Sequence, residues 1–191
     1  MVTTIDPEQF IAELACALAA RGWLFDHVAR SSSTPLSGRI RPGVTRWSDQ
    51  GSDLHVDLRS RPGRPIAELH GFRWQADLIA AATVIGALAA IDAADAAETA
   101  RALAQVRGGE SERTLPELLD AAGWQVTVSR GERGAERTWW SPDGTRRIRL
   151  EHLSPVEGWM LTRAPDFTDG ATWTGDEDTP PAVLAALALT A

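Results

Sequence analysis

Arginine is the residue type in this sequence with the clearest capacity for chemistry. All nineteen basic residues are arginine, and lysine is absent. A guanidinium group donates paired hydrogen bonds to phosphate oxygens and to guanine edges. Residues 27–75 hold eight arginines and four acids, a local charge of +4, so the rest of a chain with net charge −7 carries −11. This separation predicts one basic surface on an acidic protein, as nucleic-acid binding requires.

The other reactive residue types form no recognisable catalytic or metal-binding pattern. The four histidines lack the paired His or Cys spacing that is typical of zinc sites, so we predict neither a metal nor a cofactor. The acids at 176–178 precede a helix start and are typical of a solvated loop. Ser48 and Ser141 belong to turn signatures. The sequence therefore predicts a protein that is not an enzyme.

Two landmarks occur twice in the same order. Residues 18–23 (LAARGW) correspond to 119–124 (LDAAGW), and residues 47–51 (WSDQG) correspond to 140–144 (WSPDG). We therefore predict an α+β fold of tandem duplicated α-β-β-β-β-α units, each an antiparallel sheet with one face covered by helix. The predicted segments are a first unit at 1–91, a helical and acidic connector at 92–113, which is either one long helix or two, and a second unit at 114–191.

Helix boundaries are marked by local residues. Asp6 and the proline after it predict the start of a helix over residues 7–20, and Gly22 predicts its end. The second unit repeats this arrangement, because Thr114 and Glu117 have the spacing of a capping box. Each unit is therefore expected to begin as helix, glycine and strand.

The strands place arginines on one face of the predicted sheet. The turn signature at 141–144 joins two strands, and alternation along the second puts Arg147 and Arg149 on the face opposite Ile148. Arg59 takes the same polar face in the first unit. A flexible basic loop is expected between the first strand and the first Trp-Ser turn. The predicted DNA-contacting residues of the sheet and loops are Arg39, Arg41, Arg46, Arg59, Arg61, Arg64, Arg146, Arg147 and Arg149.

The tryptophans and the single cysteine suggest mostly structural roles. Trp47 and Trp140 recur in both units, as anchors of a duplicated fold would. Trp139 and Trp140 are adjacent on a strand, so one of them must lie on the charged face or at an interface. Cys16 is expected to be an inert core thiol. No secretory signal is visible, and the uncharged run at 78–91 is too short for a membrane span, so we expect a cytoplasmic protein.

The second unit resembles an actinobacterial family catalogued as domain of unknown function 317 (DUF317). The resemblance covers about residues 114–190 and is carried by AGW (122–124), SPDG (141–144), RIRL (147–150), GW (158–159), WT (173–174) and TP (179–180). The first unit departs from the pattern, since it has Gln50 where the second has Asp143, and lacks both the turn proline and the Thr-Pro pair. The resemblance implies a DNA-binding role for tandem members.

Two functions are consistent with these observations. The local positive charge predicts binding of double-stranded DNA by the arginine-bearing sheet face and loops of both units. The net charge of −7 instead favours a protein-protein interaction module that binds no nucleic acid. A homodimer would fit small paired sheets that expose tryptophan, and no membrane partner is expected.

Overall fold

The structure, a computed structural model, describes most of the chain. The described residues are 6–26, 44–60, 66–81, 83–107, 113–131, 134–153, 156–163 and 171–190. Over these ranges the chain forms an α+β fold with four α-helices and ten strands. The helices are α1 (Pro7–Ala20), α2 (Val84–Arg107), α3 (Leu115–Ala121) and α4 (Pro181–Leu189), with a 3₁₀ helix at Leu78–Ala81 before α2.

All ten strands join one antiparallel sheet, in the order β1-β2-β3-β4-β5-β10-β9-β8-β7-β6. Five strands precede α2 and five lie between α3 and α4, where four per unit were predicted. The strands of the first half are β1 (Leu24–Asp26), β2 (Thr45–Ser48), β3 (His55–Arg59), β4 (Ile66–His70) and β5 (Gln75–Asp77). Those of the second half are β6 (Gln125–Gly131), β7 (Gly134–Trp140), β8 (Arg146–Leu153), β9 (Val156–Arg163) and β10 (Ala171–Asp176).

The two halves share a sheet because β5 pairs with β10, whereas a separate sheet was predicted for each unit. The ladder is short, with Gly175 opposite Ala76. Side chains extend it, since an Asp176 carboxylate oxygen accepts from the Gln75 backbone N–H at 3.0 Å. The Thr179 hydroxyl donates to the Gln75 carbonyl, also at 3.0 Å. These bonds satisfy the backbone at a point where the strands diverge.

The local signals in the sequence are confirmed at both helix starts. Helix α1 spans Pro7–Ala20, and Asp6 accepts a hydrogen bond from the Glu8 backbone N–H at 3.0 Å. Glu117 accepts from the Thr114 backbone N–H at 2.8 Å, as a capping box requires. Gly22 ends α1 with a φ of +80°, a left-handed conformation that side chains other than glycine disfavour.

Helix α2 forms most of the predicted connector. It is one continuous helix over Val84–Arg107, so the predicted boundary at residue 91 lies inside it. The rest of the connector, 108–112, lies outside the described residues. No helix in the described ranges is long and apolar enough to cross a membrane.

Two adjoining hydrophobic clusters fill the space between the helices and one face of the sheet. The first joins α1, β3, β4 and α2, and the second joins α3, β7, β8 and β9. Helix α4 belongs to both, because Leu187 packs into the first cluster and Leu184 into the second. The closing helix therefore ties the halves together. Cys16, predicted to be buried, is exposed, because the core side of α1 is occupied by Leu14 and Leu18.

Candidate functional site

One face of the sheet is not covered by the described helices. On β3, Val56 and Leu58 are buried in the first cluster on the helix side. His55, Asp57 and Arg59 alternate with them and therefore point to the opposite face. We call this second surface, which continues across all ten strands, the open face. It carries most of the polar strand residues that sequence analysis singled out.

The second half of the open face carries two arginines beside an aromatic side chain. Arg147 and Arg149 alternate on β8 with Ile148, which is fully buried on the helix side. Both arginines are half-buried. The guanidinium carbon of Arg147 lies 5.7 Å from the centroid of the Trp140 ring, a cation–π distance. Met160 is opposite Arg149 on β9 and extends the surface.

Matching positions in the two halves of this face carry different chemistry. The turn hydrogen bond from Asp49 N–H to the Leu54 carbonyl (3.3 Å) corresponds to the one from Ser141 N–H to the Arg146 carbonyl (2.9 Å). Counted from these turns along β3 and β8, the open-face position of His55 matches that of Arg147, and the position of Asp57 matches that of Arg149. The second half therefore carries two arginines where the first half carries a histidine and an acid, and alternation along β7 places Glu136 on the same face as these arginines.

This correspondence differs by one residue from the one read in the sequence repeat. Trp47 is opposite Val56 and packs on the first cluster, whereas Trp140 is opposite Arg147 on the open face. The counterpart of Trp47 on the helix side is Trp139, which is 5% exposed. A shift of one residue along a strand moves a side chain to the other face. Of the adjacent pair, Trp140 is thus the one on the charged face, as the alternation predicted for one of them.

Arg46 forms a buried ion pair. Its Nε donates to Asp57 Oδ1 at 2.7 Å, and its Nη2 donates to Asp57 Oδ2 at 2.8 Å. The two side chains, on neighbouring strands β2 and β3, are only 11% and 10% exposed. Arg46 was predicted to contact DNA, but its paired donors are directed at this carboxylate. Arg46 therefore serves as the ion-pair partner of a buried side chain within the protein.

Arg146 stabilises the end of helix α4. Its Nη1 donates to the Ala188 carbonyl at 2.8 Å and to the Leu189 carbonyl at 3.2 Å. These carbonyls belong to the last turn of the helix, where a cation is favourable. The guanidinium also lies 5.6 Å from the centroid of the Trp124 ring. Arg146, another predicted DNA contact, therefore lies on the helix side of the sheet.

The remaining predicted arginines divide between the open face and segments outside the described residues. Arg59 lies at the end of β3, half-buried on the open face. It joins Arg147 and Arg149 there. The structure gives no position for Arg39, Arg41, Arg61 and Arg64, which lie outside the described residues.

Two histidines and a carboxylate meet on the first half of the open face. His55 on β3 is directly opposite His70 on β4, and their rings stack with centroids 4.7 Å apart and an interplanar angle of 4°. His70 Nε2 lies 3.8 Å from Asp57 Oδ2. Burial, with smaller contributions from Arg46 and His70, lowers the pKa of His55 to about 4, so its imidazole is neutral at pH 7. We call His55, Asp57 and His70 the His-Asp cluster.

A row of charged side chains crosses the same strands. Arg46, Asp57, Glu68 and Asp77 are successive register partners on β2, β3, β4 and β5. Burial, and to a smaller extent the charge of Glu68, raises the pKa of Asp77 to about 7. A hydrogen bond from the Ile79 backbone N–H, at 2.9 Å, opposes this shift. Asp57 and Glu68, together with an Asp77 that is about half ionised near pH 7, give this row more acid than base.

Sequence reasoning missed the His-Asp cluster because its members are not close in sequence. The spacing from residue 55 to residue 70 matches no metal or catalytic motif, and only the register of β3 against β4 brings the rings together. A prediction that β3 and β4 form a hairpin with His55 opposite His70 would have revealed the pair.

Comparison with protein-family models, with curated proteins and with solved structures gives no significant match for this chain.

Proposed function

We propose that the protein binds double-stranded DNA, without catalysing a reaction on it, through the second half of the open face. The observation that supports this is the pair Arg147 and Arg149, which lie two positions apart on β8 and extend to the same uncovered side of the sheet. Such a pair is separated by roughly 7 Å along the strand, so each guanidinium can bind its own phosphate. Trp140 beside Arg147 provides a flat surface for sugar or base contacts.

The charge distribution limits this proposal to one half of the sheet. On the first half, Asp57 neutralises Arg46, Glu68 adds negative charge at the neighbouring position, and Asp77 adds more as the pH rises through about 7. A phosphate backbone would be repelled there and attracted at β8. The proposed interface is therefore narrower than the two-unit face predicted from the sequence, with Arg59 at its margin. We also propose a cytoplasmic location, which is compatible with this function.

The proposal is tested by fluorescence anisotropy with a labelled GC-rich duplex between about 50 and 200 mM salt. We expect the wild type to bind and to weaken as salt rises. The double variant Arg147→Gln with Arg149→Gln should bind more weakly, and its plot of log affinity against log salt should be shallower by about 2, because two phosphate contacts are lost.

The matched control removes the same charge from the helix side. Arg21 pairs with Asp92 and Arg101 with Glu98, both on helices away from the open face. The variant Arg21→Gln with Arg101→Gln should bind DNA nearly as the wild type does. Equal weakening in both double variants would show that only net charge matters, and absence of binding at about 50 mM salt would reject the proposal. Arg39→Ala with Arg41→Ala tests the basic loop in the same titration.

We further propose that the chain is a tandem DUF317 protein whose halves arose by duplication. Each half contains a short helix, five antiparallel strands and a following helix, and the strand order of one half mirrors the other about the β5–β10 junction. Gly22 and Gly123 follow the first helix of each half with φ values of 80° and 79°. A second DUF317 sequence that preserves these glycines and the β8 arginines would support this proposal.

The alternative function, a protein-interaction module, is favoured by one observation. Residues 125–130 of the edge strand β6 are all exposed, including Val126 at 48% and Val128 at 62%. Exposed edge strands pair readily with other strands. A second copy of the chain is the partner we propose, because two antiparallel β6 edges can pair about a two-fold axis.

This homodimer is tested by light scattering coupled to size-exclusion chromatography. The wild type is expected at twice the mass of the chain, and Val126→Lys with Val128→Lys is expected at the mass of one chain, because lysines on an edge block pairing. Ile85→Lys is the control, since Ile85 is 79% exposed on α2. A monomeric wild type at all concentrations would reject the dimer.

A further inference from the structure

The His-Asp cluster combines the donor atoms that borderline metal ions prefer. Imidazole nitrogen and carboxylate oxygen are the ligands of Zn²⁺ and Co²⁺ in proteins. One candidate ligand atom from each of His55, Asp57 and His70 lies within 4.8 Å of the other two. Donors bound tetrahedrally to one such ion at about 2.1 Å are about 3.4 Å apart. Side-chain movements of roughly 1 to 1.5 Å would therefore bring all three onto a single ion.

One ring nitrogen of the cluster lacks a conventional partner. His70 Nε2 is buried and forms no hydrogen bond. It is directed toward two carboxylates but reaches neither, since it lies 3.5 Å from Glu68 Oε2 and 3.8 Å from Asp57 Oδ2. A buried polar atom without a hydrogen bond costs free energy and requires an explanation. An ion held between His70 and Asp57 would satisfy this nitrogen.

The other two ligands are already held by neighbouring groups. Arg46 fixes the Asp57 carboxylate through both oxygens, leaving a second lone pair on each. The Asp53 backbone carbonyl lies beside the His55 ring, where it would accept from the ring nitrogen that does not bind the ion. Metal-bound histidines almost always donate their second nitrogen in this way, which fixes the ring and leaves the other nitrogen as the ligand.

The charge around the cluster is also suited to a cation. Asp57 and Glu68 outnumber Arg46 in the row that crosses β2 to β5. A divalent ion would compensate the remaining negative charge. His55 and His70 lie on the same face of the sheet as this row, on adjacent strands. The ion would therefore reach them from the open face.

We propose that His55, Asp57 and His70 bind one divalent transition-metal ion of the Zn²⁺ type. The three protein ligands would occupy three coordination positions and leave at least one for water. This site lies on the first half of the sheet and does not depend on DNA binding by β8. The prediction of no metal site rested on spacing along the chain, whereas strand pairing brings these ligands together.

The test is calorimetric titration of Zn²⁺ into the full chain, purified without a histidine tag and dialysed against a chelator and then metal-free buffer. We expect one ion per chain, and visible absorption bands when Co²⁺ replaces Zn²⁺. His55→Ala and His70→Ala should each weaken binding by about tenfold or more. His152→Ala, on β8 in the other half of the sheet, should bind as the wild type does.

Circular dichroism and urea unfolding of each apo variant separate loss of a ligand from loss of the fold. His70→Gln is the second variant, because it keeps a polar side chain of similar length and should fold even if His70→Ala does not. No Zn²⁺ binding by the wild type would overturn the proposal. Binding that is unchanged in folded His55→Ala and His70→Gln would overturn it equally, by placing the ion elsewhere on the chain.

Discussion

The variant Arg46→Ala is expected to lose about 3 to 5 kcal/mol of unfolding free energy, because it leaves the buried Asp57 carboxylate without its partner. In the folded protein both oxygens of Asp57 accept from Arg46, at 2.7 and 2.8 Å. The side chain of Asp57 is 10% exposed, so water cannot replace the lost donors fully. Urea unfolding at pH 7 measures the loss.

Two further variants test whether the loss of stability comes from the unpaired buried charge or from the removal of any arginine. Arg21 also forms a two-bond pair, with Asp92, but the two side chains are 35% and 65% exposed. Arg21→Ala is expected to cost less than about 1 kcal/mol. Arg46→Met combined with Asp57→Leu removes both charges and should recover most of the stability lost in Arg46→Ala. A small loss in Arg46→Ala, similar to that in Arg21→Ala, would contradict the assignment of this pair as buried.

The variant Asp77→Asn is expected to make stability less sensitive to pH and to stabilise the protein above pH 7. Burial raises the pKa of Asp77 from 3.8 to about 7 in the folded state. A raised pKa means that the folded protein holds this proton more tightly than the unfolded chain does. The resulting stability is fully present below about pH 4 and is lost as the pH rises through about 7.

Asparagine removes this charge and keeps the hydrogen bond. The Asp77 Oδ1 atom accepts from the Ile79 backbone N–H, and an amide oxygen can do the same. At about 1.4 kcal/mol per pKa unit, the advantage of Asp77→Asn over the wild type should grow by about 2 to 4 kcal/mol between pH 4.5 and pH 8. Urea unfolding at several pH values in this window measures it.

The control for this prediction is an exposed carboxylate. Asp120 lies on the exposed side of α3, so Asp120→Asn should change stability by a similar small amount at every pH in the window. If Asp77→Asn showed the same constant difference, the carboxylate of Asp77 would not be buried as the structure has it.

Local features of this protein were predictable because their causes lie within a few residues. The bounds of α1, the Asp6 cap, the left-handed Gly22 and the capping box at Thr114 are all as expected. Capping and turn formation depend on hydrogen bonds between residues two to four positions apart. The alternation that places Arg147 and Arg149 on one face follows from strand geometry in the same way.

The partners of individual side chains depend on strand pairing. Arg46 and Arg146 look alike in sequence as strand arginines, yet one faces Asp57 across a strand pair and the other reaches the last carbonyls of α4. Register between strands is set by the whole buried face, and one residue of shift exchanges the two faces. This is why the sequence repeat matched Trp47 with Trp140, although the two lie on opposite sides of the sheet.

The sequence by itself determined the helix ends, the turns and the alternating arginines, since these follow from contacts within single segments. The tertiary structure alone decided that ten strands form one sheet, because β5 and β10 are distant in sequence, and α4 packs into both hydrophobic clusters beside them. It also decided that two arginines lie side by side on one half of the open face and that two histidines face each other on the other half. Long-range pairing minimises exposed apolar surface over the whole chain, and that quantity cannot be read from any one segment.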